Sequence, residues 1–316
     1  MLGLSSLFRK AETPKPEAAQ LPIEQPWFST PFFDGLLANS NLSESDKALC
    51  EHFARYGYAI IDLDIPDIDD FAEDLRENID YPIREGKPWN RVQDAWRENA
   101  SVRELACLPD ILSALEILYR RKPIPFQTLN FPVGTEQATH SDTIHFNSIP
   151  ERWMCGVWVA LEDIDDDNGP LHYYPGSHKM PIYHMHDFGL SPQDYTDLGQ
   201  SYPKYERAVA RMIAASGFER KTLSVKKGQA LIWEANLFHG GSPIKDHSRT
   251  RYTQVTHYYF EGCSYYGPLQ SDMPLGKVVW RQVENIKNGE IVTHHYNGKP
   301  VDAPMFDGSA KMLLMR

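Results

Sequence analysis

The triplet His140-Ser141-Asp142 carries the side chains best suited to chemistry in this sequence. Alternate residues of a β-strand share a face, so an imidazole and a carboxylate two positions apart aim at one point. Together they supply two thirds of the 2-His-1-carboxylate facial set, which holds a ferrous ion and leaves coordination positions open for co-substrate and oxygen. The third donor must come from elsewhere in the chain. His239 suits that part, because it lies at the end of the segment running on from the strand Ala230 to Trp233, and Gly240-Gly241 follows it. A lone His-x-Asp arises by chance in many proteins, and a hydrogen-bonded structural set is the competing reading of the three residues. The predicted strand end and the β texture beyond it favour metal ligation.

A co-substrate bearing two carboxylates would need a guanidinium, since arginine offers a planar fork to carboxylate oxygens. Arg249 and Arg251 lie ten and twelve residues beyond His239, in a strand predicted from about Arg249 to Phe260. They share parity, so both can face inward. The competing reading for each is a solvated arginine on a surface strand.

The elements that must position these groups follow in chain order. Residues 1 to about 30 hold Pro14, Pro16, Pro22 and Pro26 without a sustained hydrophobic period, which predicts a flexible tail. Residues 31–316 are expected to form one domain, whose first part, 43–121, is a helical brace. Ser43 is expected to cap a helix ending near Gly57, Tyr58 to Leu63 a strand, and Asp67 to cap a second helix; two more helices fall near Ser101 to Cys107 and Asp110 to Arg120. From 124 to 260 the texture is β. Phe126 to Phe131 alternates, Met154 to Leu161 is almost continuously apolar as in a strand covered on both faces, and turns fall at Asn168-Gly169 and Pro175-Gly176. Short strands so closely spaced predict a sandwich or jelly roll, in which strands distant in sequence become neighbours in space. An insertion at 180–221, helical around Tyr205 to Ala215, is expected to be a lid over the site. An extension at 273–316 carries two hairpin signals, Asn288-Gly289 and Asn297-Gly298.

Composition removes several classes of partner. Lys and Arg number 32 against 43 Asp and Glu, a net charge of −11, and no basic cluster stands out, so nucleic acid and anionic membrane surfaces are poor partners. No apolar run approaches the roughly 18 residues that span a bilayer. Met1 to Lys10 lacks the apolar core of a signal peptide, and a soluble cytoplasmic protein is the expectation. Cys50, Cys107, Cys155 and Cys263 match neither a zinc pattern nor a disulfide framework and are expected to be reduced. Among other histidines, His184 and His186 have ligand spacing without a convincing third partner, His178 belongs to a turn, and His294-His295 sits in the extension. The acidic run from Glu162 to Asp167 has Asn168 and Tyr174 where a calcium loop needs glycine and glutamate.

Several stretches combine into a family pattern: Gly134-Thr135-Glu136-Gln137 before His140-Ser141-Asp142, Gly156 to Asp163, Asn168-Gly169-Pro170-Leu171, Pro175-Gly176-Ser177-His178, and Gly228 to Trp233 before His239. From about Phe53 to Tyr259 the chain resembles the phytanoyl-CoA dioxygenase family of Fe(II)/2-oxoglutarate oxygenases. The resemblance implies a mainly β fold with flanking helices, a double-stranded β-helix or cupin-like jelly roll. It implies Fe(II) at His140, Asp142 and His239, with 2-oxoglutarate and O2 as co-substrates. The far carboxylate of 2-oxoglutarate falls to Arg251 rather than Arg249, because Arg251-Tyr252-Thr253 with His257-Tyr258 fits the family's strand, and Gln127 falls near the co-substrate. Two departures stand out. No arginine lies eleven residues after His239, so the loop Ser242 to Ser248 must differ, and Gly241 stands where some members place a hydroxyl. Relatives that halogenate have a small residue in place of the carboxylate, so Asp142 implies hydroxylation or desaturation of an unactivated C–H in a small-molecule substrate, with release of succinate and CO2. The substrate pocket is expected among the insertion, Thr143, His145, Tyr265 and Tyr266. A cupin-like metal-dependent isomerase and a non-catalytic jelly-roll binding protein are the competing classes.

Overall fold

Caps and breakers set the helical part of the chain. In the computed structural model, which describes residues 24–88, 91–190, 198–302 and 313–314, α1 (Phe33–Ala38) precedes α2 (Glu44–Tyr56). The side chain of Ser43 accepts from Asp46 N at 3.1 Å, and Gly57 ends α2 at φ 81, a conformation open to glycine without steric cost. A side chain on Gly57 would also strike the ring of His178, which docks there and pairs through Nε2 with Ala54 O at 3.2 Å. α3 (Ile68–Glu77), α4 (Ala100–Ala106) and α5 (Pro109–Tyr119) complete the brace. Asp67 does not cap α3: its own φ of 49 turns its side chain away, and it makes no capping bond. Asn99 does cap α4, accepting from Val102 N at 3.0 Å. Most of the expected tail, residues 1–23, lies outside the described residues, but the part near residue 30 is packed. Trp27 and Phe28 are buried, and Trp27 Nε1 donates to Leu118 O at 2.7 Å.

The strands follow as β1 (Tyr58–Asp62), the short hairpin β2 (Ile83–Arg84) and β3 (Lys87–Pro88), β4 (Val92–Gln93), β5 (Pro123–Phe131), β6 (Asn147–Ile149) and β7 (Met154–Ala160). Beyond them lie β8 (Leu171–Tyr173), β9 (Lys221–Thr222), β10 (Gln229–Glu234), β11 (His239–Gly241), β12 (Thr253–Phe260) and β13 (Ser264–Tyr266). A six-stranded antiparallel sheet has the order β1-β10-β7-β12-β5-β4, and a smaller sheet has the order β11-β8-β9. The fold is a double-stranded β-helix.

The larger sheet is covered on both faces, which is why β7 reads as one apolar run. Val157, Val159, Ala230 and Ile232 pack against the brace with Phe53, Leu105 and Leu115. On the other face Leu129, Trp158, Leu231, Trp233 and Val255 form the core inside the roll. Register explains the grouping: Val255 lies opposite both Leu129 and Trp158, and Trp158 opposite Leu231, so one rung crosses four strands. β5 alternates in sequence yet is buried on both sides, because the brace covers the face that alternation would leave wet.

The insertion contributes a helix at Leu198–Ser216, ended by Gly217 at φ 74. In the C-terminal extension, His294–Tyr296 pairs with Lys299–Val301 across Asn297-Gly298, whose φ values of 49 and 70 are those of a tight hairpin turn. All four cysteines are free thiols.

Candidate active site

His140 and His239 are neighbours in an antiparallel bridge at the edge of the smaller sheet. Each donates its backbone N–H to the other's carbonyl at 2.9 Å, a reciprocal antiparallel pair that holds the two rings 4.6 Å apart. Asp142 does not share a strand with His140, as the triplet alone predicts; it begins a short 3-10 turn, Asp142–Ile144. The two still converge, since Asp142 Oδ1 lies 3.6 Å from His140 Nε2 and 3.8 Å from His239 Nε2. All three side chains are buried, and their donor atoms lie within 4.8 Å of one another.

The hydrogen bonds around the triad decide where its lone pairs point. His140 Nδ1 pairs with Ala138 O at 2.9 Å, and His239 Nδ1 pairs with Leu237 O at 2.9 Å, the same contact two residues back in both cases. With Nδ1 protonated to donate there, each Nε2 keeps its lone pair for the space between the rings. Asp142 Oδ2 accepts from Trp233 Nε1 at 2.7 Å and has His257 Nε2 3.6 Å away, which leaves Oδ1 turned toward the imidazoles. His257 Nδ1 meets Gln127 Oε1 at 3.1 Å. Gln127, His257, Gly156 and Trp233 occupy one rung of β5, β12, β7 and β10. Glycine at the third place is required, because a Cβ there would lie 2.2 Å from the Trp233 ring.

Electrostatics favour ligation at neutral pH. Burial alone would raise the Asp142 carboxyl, but the imidazoles of His239, His140 and His257 around it outweigh burial and hold the carboxyl well below its usual range. Burial pushes the His239 imidazole down to about 4, so it is neutral and ready to donate a lone pair. The loop that delivers His239 is pinned by Glu234, which accepts from Asn236 N at 2.7 Å and pairs with Arg152 at 3.3 Å. Burial raises the Glu234 carboxyl to about 7 against the pull of Arg152.

A cavity of about 420 Å³ opens over the triad. Arg251 lines it and is 1% exposed, with Nη1 donating to Gly169 O at 3.1 Å and Nη2 to Val133 O at 3.4 Å. Its Nε is buried without a hydrogen-bond partner among the described residues, and so is Trp158 Nε1, which lines the same cavity. Burial lowers the Arg251 guanidinium to about 10, which still leaves it cationic at neutral pH. A buried cation with an unfilled donor fits a carboxylate. Arg249 is placed elsewhere. The strand begins at Thr253, so the parity argument does not reach it, and its Nη1 pairs with both oxygens of Asp165 at 2.8 Å outside the cavity.

Other expected residues divide. Gln127 and His145 line the cavity, whereas Thr143, Tyr265 and Tyr266 are buried in packing away from it. Gly241 has no room for a hydroxyl-bearing side chain, since a Cβ would lie 2.7 Å from Glu136 N. The insertion does lean on the site: Tyr202 OH meets His145 Nε2 at 3.1 Å, and Tyr205 OH accepts from Ser141 N at 3.3 Å. His184 and His186 stack on each other at 5.5 Å, outside the cavity. Sequence reasoning passed over His257 and Trp233 as partners of Asp142. His257 lies opposite Gln127, which the sequence did single out, but that pairing needs the β5–β12 register, and Trp233 needs the β7–β10 register.

A double-stranded β-helix with a buried His-Asp-His triad beside a sealed arginine defines a cupin-like fold of the kind used by iron- and 2-oxoglutarate-dependent oxygenases. A model of the phytanoyl-CoA dioxygenase (PhyH) family matches residues 55–251, and the chain belongs to that family. Ferrous iron and 2-oxoglutarate are its cofactors, and the donor set described above suits both. The peroxisomal phytanoyl-CoA dioxygenase of Rattus norvegicus is 27% identical over 187 residues, 55% of this chain and 50% of the relative. The human enzyme is 28% identical over 167 residues, 49% of this chain and 45% of its own. The chain thus aligns with about half the length of these curated relatives. Among solved structures, the carbocyclase SnoK from nogalamycin biosynthesis has a TM-score of 0.53 at 18% identity, covering 71% of this chain and 87% of its own. EctD from S. alaskensis with bound Fe has a TM-score of 0.53 at 17% identity, covering 70% and 78%. The epimerase SnoN, in complex with Fe3+, alpha ketoglutarate and nogalamycin RO, has a TM-score of 0.51 at 20% identity, covering 70% and 86%. At these identities the likeness is one of fold.

Proposed function

We propose that this protein is an Fe(II)/2-oxoglutarate-dependent dioxygenase that hydroxylates an unactivated C–H of a small-molecule substrate, releasing succinate and CO2. The observation that carries this reading is the pair of imidazoles whose Nδ1 atoms are committed to carbonyls and whose Nε2 atoms converge on Asp142 Oδ1. His140, Asp142 and His239 hold the iron. When bound, iron with 2-oxoglutarate supplies the oxidising power, because dioxygen is activated by coupled decarboxylation of the co-substrate.

The chain's own residues bind, orient and exclude water. Arg251 grips the far carboxylate of 2-oxoglutarate with the guanidinium donors left over from Gly169 and Val133, and Trp158 Nε1 stands ready for the same group. Trp233 donates to Asp142 Oδ2, with His257 beside it, so the carboxylate turns its other oxygen to the metal. Gln127 holds His257 in place and faces the co-substrate space. The Leu198–Ser216 helix lines the cavity through Tyr202 and is held beside the triad by Tyr205, whose hydroxyl accepts from Ser141 N. The carboxylate at residue 142 favours hydroxylation over halogenation, since it takes the position a halide would need.

Anaerobic titration of the protein with Fe(II) and then 2-oxoglutarate tests the reading. A weak visible charge-transfer band is expected in the wild type and is absent in His239→Ala. A band of full strength in that variant would remove His239 from the ligand set. Metal binding without any response to 2-oxoglutarate would instead favour the isomerase class.

A further inference from the structure

Beyond the triad, the cavity has a second guanidinium that the reaction does not need. Arg281 lines it, with its Cζ 4.6 Å over the Phe146 ring and 5.9 Å over Phe126. Its backbone is fixed on both sides, donating from N to Tyr265 O at 2.9 Å and accepting at O from His294 Nε2 at 2.9 Å. Among the described residues its Nε is buried without a hydrogen-bond partner, and no carboxylate pairs with it. A guanidinium held against aromatic faces with open donors and no counter-ion is unfavourable unless an anion arrives.

The surroundings point the same way. Arg91 also lines the cavity and adds a second positive charge, while Gln93 and Gln270 bring amides. Among the described lining residues Asp142 is the sole acid, and the metal site commits it. Arg251 cannot serve the same anion as Arg281. Arg251 lies 5.6 Å from the ring of Phe131, the last residue of β5, and Arg281 lies 5.9 Å from the ring of Phe126, midway along the same strand. The two guanidiniums therefore rest on different rings, Phe131 and Trp158 for Arg251 and Phe126 and Phe146 for Arg281, in different parts of the cavity.

We infer that Arg281 anchors an oxyanion of the substrate, so that the protein acts on a small molecule bearing a carboxylate or phosphate group and oxidises it at a carbon held over the triad. This inference rests on the proposed function, in which 2-oxoglutarate takes the Arg251 end. Aromatic floor and guanidinium together favour an acid whose chain lies along Phe146, and Arg91 at the mouth steers it inward.

Calorimetric titration of the full chain, loaded with Mn(II) and saturating 2-oxoglutarate, provides the test. Hexanoate and inorganic phosphate are the anionic probes, and hexanamide is the neutral control. Hexanoate or phosphate is expected to bind and hexanamide not to, the better anion telling carboxylate from phosphate. Arg281→Met should weaken the anion by at least about tenfold, and Arg281→Lys should recover part of the loss. In Arg281→Met the affinity for 2-oxoglutarate should stay at the wild-type value. Anion binding unchanged in Arg281→Met, or hexanamide binding as well as hexanoate, overturns the inference. Should 2-oxoglutarate fail to bind the wild type, the proposed function fails instead. Hexanoate titrated into Arg251→Met, whose closed end no longer holds an anion, then still reads the Arg281 end alone.

Discussion

At one end of the cavity Arg251 is sealed at 1% exposure, its guanidinium tied to the carbonyls of Gly169 and Val133 and flanked by the rings of Phe131 and Trp158. At the other end Arg281 lies half-buried on Phe146, beside the exposed Arg91 and Gln270, with the insertion close by. The first end, where Arg251 sits just before β12 against rings carried by β5 and β7, falls inside the family match of residues 55–251; Arg281 and Gln270 lie beyond it. A cation sealed among ladder strands can hold one short, unvarying anion, and that suits a co-substrate shared by a whole family. A cation on an appended segment can be changed without disturbing the sheet, and that suits the selection of substrate.

The contrast is broken or sharpened most strongly at Arg251. Arg251→Met should raise the dissociation constant for 2-oxoglutarate about a hundredfold, in line with the roughly 2–5 kcal/mol lost when one partner of a buried charge pair is removed. Fe(II) affinity should be retained, because the triad does not touch the guanidinium. Titration of the visible band reads both quantities. A similar loss in Arg281→Met would mean that the two ends do not differ in their ligand.

The next effect concerns the rung between the ends. Trp233→Phe keeps a ring over Gly156 but removes the 2.7 Å bond to Asp142. Iron affinity, measured by competition with a chelator, should fall about tenfold, the usual cost of losing a partner behind a metal ligand. Gly156→Ala attacks the same place sterically. The added methyl, 2.2 Å from the ring, should displace Trp233, cost about 1–3 kcal/mol in urea unfolding and reproduce the loss of iron affinity. Wild-type iron affinity in both variants would show that Asp142 needs no support from the sheet.

How far this was legible in the sequence follows from the range of the forces involved. Ser43, Gly57 and Asn297-Gly298 act within a few residues, and the helix start, helix end and hairpin fall where they predict. Asp67 shows the limit of such reasoning, since its left-handed backbone, unreadable from residue type, cancels its capping. His140, Asp142 and His239 were singled out from residue type, strand context and the family pattern, and the structure brings them together, although the strand assigned to Asp142 is a 3-10 turn. Arg249 misled because parity was applied beyond the end of the strand. Trp233 and Arg281 were not legible: one depends on the register of two strands, the other on where an appended segment folds back.

Protons offer a smaller and independent probe of the two ends. Burial pushes the His145 imidazole, which lines the cavity, from 6.5 down to about 3, with His140 adding to the effect. It pushes His172, which meets Thr139 Oγ1 at 2.8 Å, from 6.5 down to about 4, with Arg220 adding. The unfolded chain takes up these protons near pH 6.5 and the folded chain does not until near pH 4 or below. Stability is therefore complete above pH 6.5 and falls as the pH drops toward 4, by at most about 1.4 kcal/mol per pH unit for each such imidazole. Urea unfolding between pH 7 and pH 4 should show a shallower slope in His172→Gln and in His145→Gln. A slope that flattens for His172→Gln alone would mean that water enters the cavity and lets His145 titrate normally.

The smallest expected effect lies in the cover of the open end. Tyr202→Phe removes the 3.1 Å contact with His145 Nε2 and leaves the ring in place. One hydrogen bond of this kind contributes roughly 1 kcal/mol. Global stability should barely move, because the Leu198–Ser216 helix also rests on an apolar cluster in which Tyr205 and Val209 pack with Ile144, Met185 and Phe238. Amide exchange within that helix should nevertheless quicken by about fivefold, since local opening responds to the bond that closes it. Strands β5 and β12 around Arg251 should keep their protection. Exchange that quickens equally in both places would make the insertion part of the sheet's cooperative unit rather than a separate cover. Exchange unchanged in the helix would assign its closure to the apolar cluster alone, with the tyrosine hydroxyl serving only to orient His145.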